Sequence, residues 1–309
     1  MDVLFLIILQ VIFPVFALLG AGAFLHRKYH FDLKTLSTLT TSVFLPAIAF
    51  VNIYESNIAG ELLTQIVGFL LVQNFTLMIV TAIVAKAAKL ETGVSATFKN
   101  SVVLNNSGNY GLPVSQLVFQ GNVVGMSIQV IVMIFQNVIT HTYGLFTSVS
   151  AKVRGSRIVL ELLKVPIIYA LMLGFLFKGF AITIPSFIWK PIENVSNAFL
   201  AVALFTLGAQ VAYLKVRRPS LPLSLTIFGR LLLSPLLGLL IIMAMGLEGV
   251  TAQALFIASS FPSSRNTALF ALQYGNDPDY AAEAVLLTTL LSAITVTAVV
   301  YLSQIFFTL

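Results

Sequence analysis

The stretch Asn105-Asn106-Ser107-Gly108-Asn109-Tyr110-Gly111-Leu112-Pro113 decides how this chain is read. It interrupts the middle of a largely apolar segment, 97–119. Glycine and proline break the helical hydrogen-bond ladder. Backbone groups freed in this way at membrane depth survive only where they line a cavity or are buried in protein. Pro113 suits the first turn of a new helix, where its missing N–H is no loss. The stretch therefore predicts a helix that stops and restarts near Leu112, with its positive dipole end at the gap.

That reading needs a bilayer, and the composition supplies it. Of 309 residues, 58% are hydrophobic and 9% are charged, and the mean hydropathy is +0.99. Ordinary soluble domains carry about 25% charged residues. A soluble enzyme, a nucleic-acid binder and a disordered chain are excluded. Cysteine is absent, so there is no disulfide framework, thiolate metal site or Cys nucleophile. Residues 3–25 form an uncharged run with Asp2 before it and Arg27 and Lys28 after it. A signal peptide has a basic start and a shorter apolar core, so this run reads as a first membrane helix.

A spanning helix takes about 20 apolar residues. Ten such segments follow: 3–25, 35–54, 62–85, 97–119, 122–149, 160–180, 193–214, 221–246, 251–273 and 281–307. Gly121-Asn122 is the turn that divides the uncharged stretch between the fourth and fifth. The expected class is an all-α polytopic membrane protein with short connections. Thirteen of the 17 Lys and Arg residues fall in loops on one side, and only Lys178 and Lys190 fall on the other. Basic loops stay in the cytoplasm, so both termini are expected on the non-cytoplasmic side. The net charge of +6 is then a topology signal rather than a partner signal.

Shifting the chain by about 154 residues lays Val43-Phe44-Leu45-Pro46-Ala47-Ile48-Ala49-Phe50 on Ala198-Phe199-Leu200-Ala201-Val202-Ala203-Leu204-Phe205. Pro14 and Gly22 fall on Pro166 and Gly174, and Gly121-Asn122 on Gly275-Asn276. Two five-helix repeats, 1–150 and 151–309, are expected. Five is odd, so they enter the membrane from opposite sides, an arrangement common in secondary transporters. The ninth span has the matching interruption, Ser259-Ser260-Phe261-Pro262-Ser263-Ser264-Arg265-Asn266-Thr267. Ser263 or Ser264 can cap the helix that follows. Broken helices 4 and 9 would cross and aim two helix N-termini at one anion-binding pocket.

An arginine at the midplane costs at least about 2.5–3.5 kcal/mol on insertion scales, and no acid in the core of a span neutralises Arg265. A carboxylate substrate gripped by its fork is the expected partner. Arg230 is expected nearer an interface. The expected substrate-binding set is Asn106, Gly108, Asn109, Gly111 and Pro113 at one break, and Pro262, Ser263, Arg265 and Asn266 at the other. Gln136 and Asn137 join it from the fifth helix, and Thr288 and Ser292 from the tenth. His26 and His30 lack a third ligand, and there is no P-loop or metalloprotease motif. No cofactor, metal, catalytic residue or nucleic-acid partner is expected.

The run 106–113, with ten spans and a second break at Pro262, resembles the auxin efflux carrier family in its prokaryotic form, over essentially the whole chain. The resemblance implies a bile-acid-symporter-like fold. Helices 1, 2, 6 and 7 would form a scaffold and homodimer face. Helices 3–5 and 8–10 would form a moving unit that holds the substrate at crossed helices 4 and 9. It implies a secondary carrier of small mono- or dicarboxylates in a bacterial inner membrane. A facilitative uniporter or channel-like path is the rival, and an intramembrane enzyme a weaker one. Plant members carry Asn-Pro-Asn-Thr-Tyr at the second break, whereas this chain has Phe261-Pro262-Ser263-Ser264-Arg265. An arginine suits a small carboxylate better than an indole ring.

Overall fold

The computed structural model describes residues 3–55, 60–148, 166–213 and 220–307. Seven of its helices are long and apolar enough to cross a membrane. They are α1 (Phe5–Tyr29), α2 (Leu33–Glu55), α3 (Gly60–Ala87), α6 (Val123–Ser148), α8 (Ser186–Val211), α9 (Leu221–Met245) and α12 (Pro278–Phe306). Two further segments are interrupted. The first consists of α4 (Thr92–Val103), a π-helical turn Ser107–Gly111 and α5 (Leu112–Val118). The second consists of α10 (Gly249–Ser259) and α11 (Arg265–Tyr274). Helix α7 (Pro166–Gly179) covers the later part of the expected sixth span; residues 160–165 of that span lie outside the described residues. The protein is an all-helical, multi-pass membrane protein.

The helix ends differ from the apolar runs where polar residues extend them. Helix α1 continues through His26, Arg27 and Lys28 and stops at His30 in the left-handed conformation. Helix α8 starts at Ser186, not 193, so Lys190 sits inside it rather than in a loop. A long lysine on the first turns of a helix can carry its ammonium to the interface. At Gly121-Asn122 the chain turns as expected: Gly121 has φ +77°, and Asn122 caps α6 by accepting from the Gly125 N–H at 3.0 Å.

Helix α3 shows how a helix here divides between its exposed and buried faces, with Gln73, Asn74 and Thr81 turned inward beside Ile66, Phe69, Leu70 and Leu77. On α3, Phe75, Ile79 and Ile83 are spaced four apart and exposed, while Gln73, Asn74 and Thr81 are buried. Spacing by four keeps each set on one face. In a bilayer the apolar face meets lipid tails and the polar face meets protein.

Proline shapes the helices from within. Pro14, Pro46, Pro113 and Pro235 each lie two residues after a π-helical turn: Ile8–Ile12, Thr40–Phe44, Ser107–Gly111 and Gly229–Leu233. A proline ring collides with the carbonyl four residues back, and the wider turn accommodates it. A fifth such turn, Thr140–Gly144 in α6, has no following proline. Such turns recur at functional sites.

Glycine permits a close helix contact, that of α1 with α8. A Cβ on Gly22 would strike the Phe205 carbonyl, and a Cβ on Gly208 would strike the Leu19 carbonyl. Small residues let membrane helices approach this closely. Helix α7 packs on α2 in a related way, with a Cβ on Gly174 only 3.3 Å from the Phe50 carbonyl.

Gly208→Val is expected to destabilise the protein by about 1–3 kcal/mol or more through overpacking. Gly20→Val, built where nothing lies within 4 Å, should leave the melting temperature in detergent unchanged. Equal melting temperatures for both variants would refute the close approach of α1 and α8.

Candidate functional site

The two interruptions cross. Asn105 and Ser263 form an isolated antiparallel bridge. The Asn106 N–H donates to the Pro262 carbonyl at 2.8 Å, and the Ser264 N–H donates to the Leu104 carbonyl at 2.8 Å. Each break thus satisfies the other's backbone, which buried peptide groups require.

Three further carbonyls beside the breaks find side-chain partners. In an unbroken helix Val102 O would accept from the Asn106 N–H and Ser259 O from the Ser263 N–H. Those donors go elsewhere: Asn106 N to Pro262, and Ser263 N to Thr288 Oγ1 at 3.1 Å. Arg230 takes over both carbonyls. Its Nη1 donates to Val102 O at 2.7 Å, and its Nη2 donates to Ser259 O and to Ser234 Oγ. Ser263 Oγ donates to Ser101 O at 2.6 Å. Arg230 is 1% exposed, so the expected place near an interface is corrected: the π turn Gly229–Leu233 carries it to the crossing itself.

Several expected site residues build this crossing. Ser292 Oγ donates to Tyr110 Oη at 2.8 Å. Gly111 faces the Phe261 ring so closely that a Cβ would overlap it. Pro113 sits in the first turn of α5. So Gly111, Pro113, Pro262, Ser263, Thr288 and Ser292 are placed around the crossing and do not line the cavity described next.

A cavity of about 340 Å³ adjoins the crossing on the side where the π turn Ser107–Gly111 and α11 begin. Asn106, Gly108 and Asn109 line it from the first break, and Arg265 and Asn266 from the second. Gln136 and Asn137 line it from α6. Those seven expected residues are brought together. Asn105, Ser107 and Ser264 also line it, as do Thr41 and Ser42 in the π turn of α2 and Thr140 and His141 in that of α6. Thr41 and Ser42 carry no distinguishing signal in the sequence, because a hydroxyl in a membrane helix ordinarily bonds the carbonyl one turn back, as Thr41 does to Ser37 O at 2.8 Å.

Polar atoms are left over at this cavity. Asn105 Oδ1, Asn106 Nδ2 and Gln136 Oε1 are buried without a hydrogen-bond partner. Native proteins rarely leave buried polar atoms unpaired. Gln136 is held by its other end, with Nε2 donating to Asn74 Oδ1 at 3.1 Å. Arg265 Nη1 donates to Ser37 Oγ at 3.1 Å, and Ser37 in turn accepts from Gln210 Nε2 at 2.8 Å. Arg265 also lines a second cavity of about 560 Å³, with Lys34, Ser37, Gln210 and Leu272 among its walls. The guanidinium therefore stands between two cavities.

The chain matches the family described as "Membrane transport protein" over residues 7–300. It belongs to that family. It is a transporter, not an enzyme, in keeping with the auxin efflux carrier resemblance of its first break. An "Uncharacterized transporter" of Methanothermobacter thermautotrophicus is 23% identical over 301 residues, covering 95% of this chain and 94% of that protein. A protein named "Putative malonate transporter" in Rhizobium meliloti is 30% identical over 115 residues, 36% of this chain and 35% of that protein.

Thr288→Val should strand the buried Ser263 N–H and destabilise the transporter by about 1–3 kcal/mol. Thr295 Oγ1, buried without a partner, provides the contrast: Thr295→Val should be neutral or stabilising. Thermal unfolding of both variants checks this, and a neutral Thr288→Val would remove that bond from the account of the crossing.

Proposed function

We propose that this transporter carries small organic anions, mono- or dicarboxylates, through the cavity between the two breaks by alternating access. The observation that carries the reading is the charge arrangement there. Each helix N-terminus presents roughly half a positive charge. Two helical runs start at this cavity, from Ser107 and from Arg265. With the Arg265 guanidinium they sum to roughly two positive charges. Asn106 lines the same cavity, and its donor Nδ2 is buried without a partner. A neutral hydroxyl, that of Ser37, occupies one of the five guanidinium N–H donors of Arg265. A carboxylate would accept from the fork in its place, with Asn106 Nδ2 and the backbone at Gly108 available to a second carboxylate. The name of the Rhizobium relative fits a dicarboxylate of this size.

The architecture we infer is ten spans in two inverted repeats, 1–150 and 151–309. Reciprocal contacts support it. Gly22 meets the Phe205 carbonyl and Gly174 meets that of Phe50, and the repeat offset pairs Gly22 with Gly174 and Phe50 with Phe205. Asn100 Nδ2 donates to Ser148 Oγ at 2.8 Å, and Gln253 Nε2 donates to Ser303 O at 3.4 Å; 100 and 253, like 148 and 303, are again one repeat apart. The resemblance adds a homodimer formed through the α1, α2, α7 and α8 side and a place in the inner membrane. With the basic loops in the cytoplasm, the second cavity, reached past Lys34, is the cytoplasmic approach to Arg265.

Arg265→Ala should weaken malonate binding by about 10- to 100-fold, the loss expected of a charged hydrogen bond. Thermal shift against a panel of mono- and dicarboxylates reads this out, and counterflow in proteoliposomes separates a carrier from a channel. If wild type neither binds nor carries any carboxylate, the reading fails. Orientation has its own test, since the chain has no cysteine. Lys89→Cys should react with an impermeant maleimide only from the cytoplasmic side, and Lys190→Cys only from the other; the reverse pattern would invert the topology.

A further inference from the structure

Arg230 is a second buried cation, and the anion pocket does not use it. Its described hydrogen bonds all end on uncharged oxygens: the carbonyls of Val102 and Ser259 and the hydroxyl of Ser234. Those carbonyls terminate α4 and α10, the first arms of the two interrupted helices. A helix C-terminus carries roughly half a negative charge. Two of them converge on one guanidinium, so the charges nearly cancel. Carbonyls at the C-terminal ends of broken helices are the oxygens that coordinate monovalent cations in secondary transporters. Ser234 Oγ, which also donates to Ser259 O at 2.8 Å, adds a hydroxyl to the set. Three hard oxygens around one buried positive charge are the ligand set of such a site, with a side chain in place of the ion.

We propose that the Arg230 guanidinium is the resident occupant of a small-cation site at the crossing, and that the site accepts an exchangeable cation only when this side chain is removed. The inference rests on the transport reading for its consequence, cation-independent anion binding, but not for its direct test. Arg230→Ala leaves two helix ends facing each other without a counter-charge, and it should melt well below wild type. Sodium or methylguanidinium should then restore it. Neither ion should do so for wild type beyond the effect of choline at equal ionic strength.

The direct test is the melting temperature of purified Arg230→Ala in detergent, without any anion substrate, titrated with sodium, methylguanidinium or choline chloride. A rise of about 4 °C or more with sodium or methylguanidinium over choline supports the proposal. Equal responses to all three salts overturn it. Arg230→Lys, which keeps the charge with fewer directed donors, guards against a variant that does not fold; it should melt between wild type and Arg230→Ala and gain little from either cation. The second arm uses wild type with malonate. A malonate-induced shift that is the same in sodium and in choline supports the proposal, and one that requires sodium overturns it. If wild type shows no shift with malonate or any other carboxylate, the anion reading fails, while the cation titration of Arg230→Ala still decides this inference.

Discussion

A helix interrupted inside a bilayer must find partners for the peptide groups it releases, and here it finds them in a second interrupted helix. The bridge between Asn105 and Ser263, flanked by the Asn106–Pro262 and Ser264–Leu104 hydrogen bonds, holds the two breaks to one another. Neither break is stable alone, because in hydrocarbon each unpaired group costs several kcal/mol. Crossing fixes where all four half-helices end. The C-terminal ends of α4 and α10 meet at Arg230, and the N-terminal ends of the runs from Ser107 and Arg265 meet at the cavity. One geometric solution to backbone satisfaction therefore separates charge as well, with negative ends gathered at Arg230 and positive ends gathered at the cavity.

The interior around the bridge is built to keep it rigid. Gly111 gives the Phe261 ring room to lie against the first break, and Tyr110 stacks edge-on to the same ring at 6.3 Å. Ser263 is tied on both sides, by its N–H to Thr288 and by its hydroxyl to Ser101. These contacts reach across both halves of the chain, so the crossing couples the helices that carry them. The π turns of α2 and α6 place Thr41, Ser42, Thr140 and His141 at the cavity wall.

The breaks themselves were legible in the sequence, because Asn, Gly and Pro are dense there and scarce in a uniform membrane helix. So was Arg265, whose charge has no acidic counterpart in the spans. What could not be read was the register of the crossing. In an extended passage successive side chains point to opposite faces. Ser263 turns into the bridge, and Ser264 turns to the cavity. Treated as a loop, the passage gives no means to tell them apart. Arg230 was misplaced for a related reason. Depth judged from the ends of an apolar run ignores which carbonyls wait nearby, and Val102 O lies 128 residues away in the chain. Helix α8 begins at Ser186, ahead of the apolar run from 193, because its first turns carry Lys190 and Glu193 and so lack the apolar signal of a span.

The two buried arginines show how surroundings, not residue type, assign a role. Arg230 donates to two carbonyls that cannot leave, because each belongs to a helix end fixed by the crossing. Arg265 is one residue beyond the cap of α11, and its described bond goes to the hydroxyl of Ser37, on a helix outside the crossing. A hydroxyl offers the cation one neutral oxygen, whereas a carboxylate offers two charged oxygens in a geometry that matches the guanidinium fork. An arriving carboxylate can therefore displace Ser37 from Arg265, whereas nothing of comparable strength can displace the carbonyls from Arg230. Ser37 also accepts from Gln210 of α8, so releasing it loosens a link between α11 and the α2–α8 pair. On the proposed carboxylate reading, binding an anion would thus free the segment that carries it.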